Sequence, residues 1–216
     1  MRLVFLGVPG AGKGTQAMRL KNKLGLPHIS TGDMLREMVE ENTPLAEELR
    51  SFMREGKLVP DDKMNEAVGR RLARPDAAEG FILDGYPRTA AQAEALKAAL
   101  AGRGFSLDAV VFFNLPKKTA VDRLSGRRTC RRCGENFHVE FNPPGTKGVC
   151  DKCGGELYRR DDDQAEVIER RFEVYKEETA GLIDYYKKEG LLREIDATPS
   201  PDEVYSSLLE TLELSD

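Results

Sequence analysis

Residues 3–15 read Leu-Val-Phe-Leu-Gly-Val-Pro-Gly-Ala-Gly-Lys-Gly-Thr, a short apolar run that dissolves into glycine around a single lysine. Four consecutive apolar residues, Leu3 to Leu6, suit a strand buried on both faces, and the glycines that follow end it. If the chain then reopens as a helix, several backbone N–H groups and the positive helix end face one small volume, which suits phosphate. Gly7, Gly10, Gly12 and Gly14 let the backbone approach an anion closely, and Lys13 adds a mobile positive charge for the outer phosphates of a nucleotide. The stretch from Gly7 to Thr15 therefore reads as a P-loop. It departs from the usual pattern at one place: Gly14 stands directly after the lysine, where a hydroxyl that binds Mg²⁺ is expected.

The 216 residues suffice for one α/β domain with a substantial core and small insertions. Apolar residues make up 40% and charged residues 32%, and no apolar run is long enough for a membrane span or a signal-peptide core. A cytoplasmic protein is expected. The net charge of -4 argues against general nucleic-acid binding, although positive charge gathers between Lys117 and Arg132.

Beyond the P-loop, a helix is expected from Thr15 to Leu24 with Gly25 as its stop. A short strand at His28 and Ile29 follows, then Ser30-Thr31-Gly32-Asp33, whose side chains can cap a helix carrying Arg36. A second helical unit runs from Thr43-Pro44 to Gly56, so residues 30–59 read as a helical insertion. Phe81, Ile82 and Leu83 form a buried strand ending in Asp84. A carboxylate at the C-terminal end of such a strand is placed to hold Mg²⁺ or its waters. Gly85 and Pro87 shape a turn that directs Arg88 into the same crevice, and Thr89 can cap the helix reaching Leu100. A fourth strand is expected from Ala109 to Leu115, a helix from Pro116 to Ser125, a helical region from Gln164 to Lys188, a fifth strand from Leu191 to Ile195, and a closing helix from Pro201 to Leu214.

Residues 127–163 break the pattern. All four cysteines lie here, as Cys130-Arg-Arg-Cys133 and Cys150-Asp-Lys-Cys153, separated by the sixteen residues Gly134 to Val149. Two C-x₂-C pairs at this spacing point to a structural zinc site, with free thiols or two disulfides as the competing readings. Four thiolates would fill a tetrahedral Zn²⁺ and leave no position for chemistry. His138, between the pairs, is better suited to stacking on something flat.

Taken in order, Gly7 to Thr15, Ser30 to Asp33, Asp84 to Thr89, Gly126 to Arg128, the cysteine quartet, Phe141 to Pro144 and Arg160 to Gln164 resemble the adenylate kinase family in its long bacterial form with a zinc-bearing lid. The resemblance implies a five-stranded parallel sheet with the P-loop strand in the middle. Its core would comprise residues 1–29, 60–126 and 164–216, with an AMP-binding insertion at 30–59 and a β-rich lid at 127–163. The implied reaction is reversible transfer from MgATP to AMP, giving two ADP.

By the same resemblance, ATP is held by Gly10, Ala11, Gly12, Lys13, Gly14, Thr15, Arg123, Arg127 and His138. AMP is held by Thr31, Arg36, Lys57, Val59, Gly85, Arg88, Gln92, Arg160 and Arg171. Catalysis falls to Lys13, Arg88, Arg127, Arg160 and Arg171; Asp162 and Asp163 orient the lid arginines, and Asp84 reaches Mg²⁺ through water. A monomer without nucleic-acid or membrane partners is implied. Two other functions fit parts of this sequence: a kinase for CMP, UMP or GMP on the same scaffold, and a P-loop switch whose zinc module carries an interaction through Arg127, Arg128, Arg131 and Arg132.

Overall fold

A computed structural model describes residues 1–40 and 43–215; Glu41 and Asn42 of the expected insertion and Asp216 at the end of the expected core lie outside the described residues. Strand β1 (Arg2–Leu6) sits at the centre of a five-stranded sheet. On one side β3 (Phe81–Asp84) pairs with it, and β2 (His28–Ser30) lies beyond β3. On the other side come β4 (Ala109–Asn114) and β8 (Leu192–Asp196). Every pairing is parallel, with Leu3 opposite Ile82 and Ala109, and Val4 opposite Leu83 and Val110.

Parallel strands need crossover helices, and these cover both faces of the sheet. Leu3 and Phe5 point to one face, where they pack with Val111, Phe113 and residues of α1 (Lys13–Leu24), α6 (Lys117–Ser125), α7 (Ala165–Val174) and α9 (Pro201–Thr211). Val4 and Leu6 point to the other, against α4 (Asp61–Leu72), α5 (Ala90–Ala101) and α8 (Gly181–Lys188). Double-sided burial explains why β1 reads as an unbroken apolar run. Phe5 is fully buried, with its ring 4.9 Å from that of Phe113, and truncation to alanine would cost about 3–5 kcal/mol.

Between β2 and α4 lie α2 (Thr31–Met38) and α3 (Pro44–Arg54). Ser30 caps α2 by accepting from Asp33 N at 3.2 Å, and Thr43 caps α3 by accepting from Ala46 N at 3.1 Å, ahead of Pro44 in the first turn. Residues 127–158 form a separate antiparallel sheet of β5 (Arg127–Cys130), β6 (Asn136–His138) and β7 (Leu157–Tyr158), with β5 in the middle. Its small core consists of Cys130, Phe137, Cys150 and Leu157.

The helical region expected over 164–188 is two helices joined by a wide turn, Tyr175–Thr179, in which Ala180 N reaches Tyr175 O at 2.9 Å. Its physical reason is visible in the packing. Ile168 and Phe172 of α7 belong to the apolar cluster on one face of the sheet, whereas Leu182 and Tyr186 of α8 belong to the cluster on the other. A wide turn inserts an extra residue and rotates the apolar stripe by about 100°, so that one helical run serves both layers. Helix α1 also begins two residues earlier than expected, at Lys13.

Candidate active site

Because the strands are parallel, the turns that leave their C-terminal ends gather along one edge of the sheet. β1 leads into the P-loop, β2 into Thr31, β3 into Asp84 and Gly85. In the loop, Gly7, Gly10 and Gly12 adopt φ of 146°, 85° and 86°, a region that side chains rarely allow. A Cβ on Gly7 would stand 2.7 Å from Phe113 O and one on Gly10 2.7 Å from Ala120 O, whereas one on Gly12 would meet nothing within 4 Å. Gly12 opens α1 without a side-chain cap, which leaves the first-turn N–H groups to an outside acceptor.

Lys13 folds back over the loop, its Nζ donating to Gly7 O at 2.8 Å and Val8 O at 3.1 Å. Burial lowers its pKa to about 8; Asp84 works in the other direction, and Arg88, Arg171 and Arg127 add to the lowering. Burial by itself would raise the Asp84 carboxyl, but the imidazole of His28, with Nε2 3.4 Å from Oδ2, together with Lys13 and Arg88, holds it below the ordinary aspartate value. Gly14 leaves the space in front of this carboxylate open: a Cβ there would lie 3.4 Å from Asp84 Oδ2.

The turn after β3 is tightly bound. Thr31 Oγ1 donates to Gly85 O at 2.9 Å, Arg88 Nε donates to the same oxygen at 2.8 Å, and Arg88 N donates to Gln92 Oε1 at 2.7 Å. Gly85 has φ 81°, and a Cβ there would stand 2.7 Å from the Thr31 hydroxyl. Thr89 caps α5 by accepting from Gln92 N at 3.1 Å.

From the opposite side the small sheet and α7 bring in further guanidinium groups. Arg127 pairs with the fully buried Asp163 through both arms. Arg171 pairs with Asp162 at 2.9 Å and lies 3.6 Å from Asp163. Arg160 is held by the Thr129 hydroxyl at 2.9 Å and Asn136 Oδ1 at 3.2 Å, and Arg36 by Asp33. Among the described residues, Lys13, Arg88 and Arg160 form no ion pair and rest on neutral oxygens. The crowding is costly. Burial, then Arg171, brings Arg88 down to about 10; burial, then Arg127 and Arg36, does the same to Arg160. Burial also opposes the charge of Arg127, but Asp163 more than offsets it and raises that pKa. Cations thus outnumber carboxylates in one crevice beside the P-loop, an imbalance that polyanions would relieve.

Arg123 and His138 lie on the flank, both tied to α6. Arg123 donates to Ala197 O at 2.9 Å and Thr198 O at 3.1 Å. His138 Nδ1 accepts from Glu140 N and Phe141 N at 3.0 Å, which puts its proton on Nε2, facing Asp122 O at 3.2 Å. Its ring stacks on Phe141 at 4.3 Å. A Cβ on Gly126 would run into that ring. Two expected residues stand apart from the cation cluster: Lys57 is half-exposed and paired with Glu55 at 2.6 Å, and the Val59 side chain is buried in the apolar cluster.

The four cysteine sulfurs converge to within 4.8 Å of one another, with Cys130 and Cys153 3.5 Å apart and Cys133 and Cys150 3.6 Å apart. A tetrahedral tetrathiolate Zn²⁺ with about 2.3 Å bonds has sulfurs about 3.8 Å apart, so the quartet fits such an ion. Each pair is closed by a glycine that the sequence reading passed over. Gly134 N donates to Cys130 O at 3.1 Å and Gly154 N to Cys150 O at 2.8 Å, both at φ 71°. Also missed were Asp33 as partner of Arg36, Thr129 and Asn136 as the seat of Arg160, and Asp61, whose carboxylate accepts from Thr89 and Gln92. A glycine after each second cysteine and the i,i+3 spacing of Asp33 and Arg36 on α2 were available as signals; the others are contacts between distant segments, which leave no local pattern.

A parallel sheet with a P-loop at its centre, a carboxylate on the neighbouring strand and nearby cations that form no ion pair among the described residues define a P-loop phosphotransferase of the nucleoside monophosphate kinase type. A family model described as adenylate kinase matches residues 5–191. The chain belongs to the adenylate kinase family. It is 49% identical over 213 residues to the adenylate kinase of Carboxydothermus hydrogenoformans, covering 99% of this chain and 100% of that protein. It is 50% identical over 213 residues to the adenylate kinase of Thermodesulfovibrio yellowstonii (99% of each chain) and 49% identical over 213 residues to that of Archaeoglobus fulgidus (99% and 98%). Among the described residues no helix is long and apolar enough to cross a membrane.

Proposed function

We propose that this chain catalyses reversible phosphoryl transfer from MgATP to AMP, giving two ADP, as a cytoplasmic monomer. The observation that carries the reading is the set of partly buried cations, Lys13, Arg88 and Arg160, that form no ion pair among the described residues and lie in one charge-coupled cluster beside the P-loop. In the reaction an AMP phosphate oxygen attacks the γ-phosphorus of ATP. The bond to the β,γ-bridging oxygen breaks, and ADP leaves as a second ADP forms. Such a transfer needs positioning and charge neutralisation rather than a nucleophilic side chain.

In this reading the backbone from Gly10 to Thr15 and Lys13 hold the ATP phosphates, with Arg127 reaching them and Arg123 and His138 flanking adenine. Thr31, Arg36, Lys57, Val59, Gly85, Arg88 and Gln92 form the AMP side, and Arg160 and Arg171 close over the transferring group, steered by Asp162 and Asp163. When bound, Mg²⁺ neutralises the ATP phosphates, and Asp84 would hold it through water. Cys130, Cys133, Cys150 and Cys153 would hold a structural Zn²⁺ that stiffens the lid, residues 127–163, against the core formed by 1–29, 60–126 and 164–216. The lid then excludes water as a competing acceptor.

The test is ADP formation from MgATP with AMP, CMP, UMP and GMP offered separately, beside a Lys13→Ala control. AMP-dependent ADP production abolished by the substitution is expected. Transfer to another monophosphate alone would overturn the acceptor assignment, and transfer to none would overturn the reading.

A further inference from the structure

Asp61 opens α4, yet its carboxylate serves α5. Oδ2 accepts from Thr89 Oγ1 at 2.8 Å and Oδ1 accepts from Gln92 Nε2 at 2.7 Å. At its other end the Gln92 amide accepts the backbone N–H of Arg88 at 2.7 Å, and the residue is 2% exposed. These partners fix which end of the amide is which. A carboxylate only accepts and a backbone N–H only donates, so Nε2 must face Asp61 and Oε1 must face Arg88. Turning the amide over would set acceptor against acceptor at one end and donor against donor at the other.

Each end of the amide retains one further valence, the second hydrogen on Nε2 and the second lone pair on Oε1. A donor and an acceptor in fixed order complement a base edge that offers an acceptor beside an amino donor, as adenine N1 and N6 do. A 6-oxopurine offers N1–H and O6, the reverse order. A site built to satisfy one order rejects the other, because its own polar groups are left unpaired.

We infer that Asp61 is a positioning residue for base selection, which locks the Gln92 amide in the orientation that accepts a 6-amino purine monophosphate and refuses a 6-oxo one. The inference rests on the reading that Gln92 meets the AMP base. Asparagine at 61 could turn its own amide to donate, which would relieve one of the two clashes that bar the flipped glutamine. Glutamate, like aspartate, can only accept.

The experiment is kcat/KM for AMP and for IMP at saturating MgATP, in the unmodified chain, Asp61→Asn, Asp61→Glu and Gln92→Leu, with KM for MgATP measured alongside. In Asp61→Asn the AMP-over-IMP ratio is expected to fall roughly tenfold with KM for MgATP unchanged. Asp61→Glu should keep the ratio. If Asp61→Asn fails to fold, Asp61→Ser, whose hydroxyl can also donate, reads the same ratio. A merely structural role for Asp61 lowers kcat/KM for both nucleotides alike. That result, alongside a ratio lost in Gln92→Leu, would overturn the inference while leaving the AMP reading intact. A ratio unchanged in Gln92→Leu as well would overturn the base contact itself.

Discussion

Arg127 grips Asp163 with both arms of its guanidinium, Nε to Oδ2 at 2.8 Å and Nη2 to Oδ1, although 36 residues separate them. Arg127 is the first residue of the small sheet and Asp163 ends the short turn by which the chain returns to α7. The pair therefore clamps both strands of the connection at one point. The backbone carbonyl of Asp163 also accepts from the Arg159 guanidinium, Nε at 3.1 Å.

Asp163→Asn should destabilise the unliganded protein by about 3 kcal/mol, since it removes the charge partner of a largely buried guanidinium. A melting temperature roughly 10 °C lower is expected. A bisubstrate dinucleotide bearing several phosphates should recover most of that loss, because its oxygens replace the missing carboxylate. Melting with and without this ligand checks both halves of the prediction.

Lys13 gives a pH signature. Its folded pKa of about 8 lies below the ordinary 10.5, so from about pH 8 to 10.5 the unfolded chain holds the proton that the folded one has released. Stability of the free protein should accordingly gain from this group as pH rises through that window. Binding should lose. The free enzyme discards the charge proposed to meet phosphate, so kcat/KM for MgATP is expected to fall above about pH 8, while kcat holds to higher pH because bound phosphates would retain the proton. Lys13→Arg should shift the falling limb upward.

Metal removal should act on the small sheet first. With so few buried residues in that unit, removal of the ion would leave four close-packed cysteines that take up protons and no longer tie the two pairs together. Chelation, or Cys150→Ser, is expected to add an early step to thermal unfolding, followed by loss of transfer activity at temperatures where the parallel sheet is still folded. A single unaltered transition would count against it.

Gly126→Ala should push the His138 ring off its seat, since the added methyl would fall within the imidazole, with Cδ2 at 2.9 Å. Overpacking of this kind costs about 1–3 kcal/mol. If His138 flanks the ATP base, KM for MgATP rises while KM for AMP stays level. Steady-state kinetics varying one substrate at a time separate the two.

Much of the fold was legible because it is written locally. Leu3 to Leu6, the glycines after them, the caps Ser30, Thr43 and Thr89, and Asp84 after Leu83 each announce an element within a few residues. The wide turn at Tyr175–Thr179 was not legible, since it follows from α7 and α8 facing different layers, which is a property of the assembled sheet. In the site, the arginines could be named from motifs, but not what holds them. Thr129 and Asn136 look like ordinary strand residues until Arg160 arrives from 31 and 24 positions away, respectively. Gln92 likewise says nothing of Asp61 until α4 and α5 are packed together.

The glycines of the P-loop are not equivalent. At Gly7 and Gly10 a methyl group would strike the carbonyls of Phe113 and Ala120, parts of the scaffold, whereas at Gly12 it would project into open space. All three positions share the strain of a positive φ, so a deep mutational survey should grade the loop. Replacements at 7 and 10, which add a collision to that strain, would deplete the protein most, whereas replacements at 12, with strain alone, would leave more folded protein that turns over poorly. Abundance and turnover, scored separately, would distinguish the side of the loop that answers to the fold from the side that answers to its ligand.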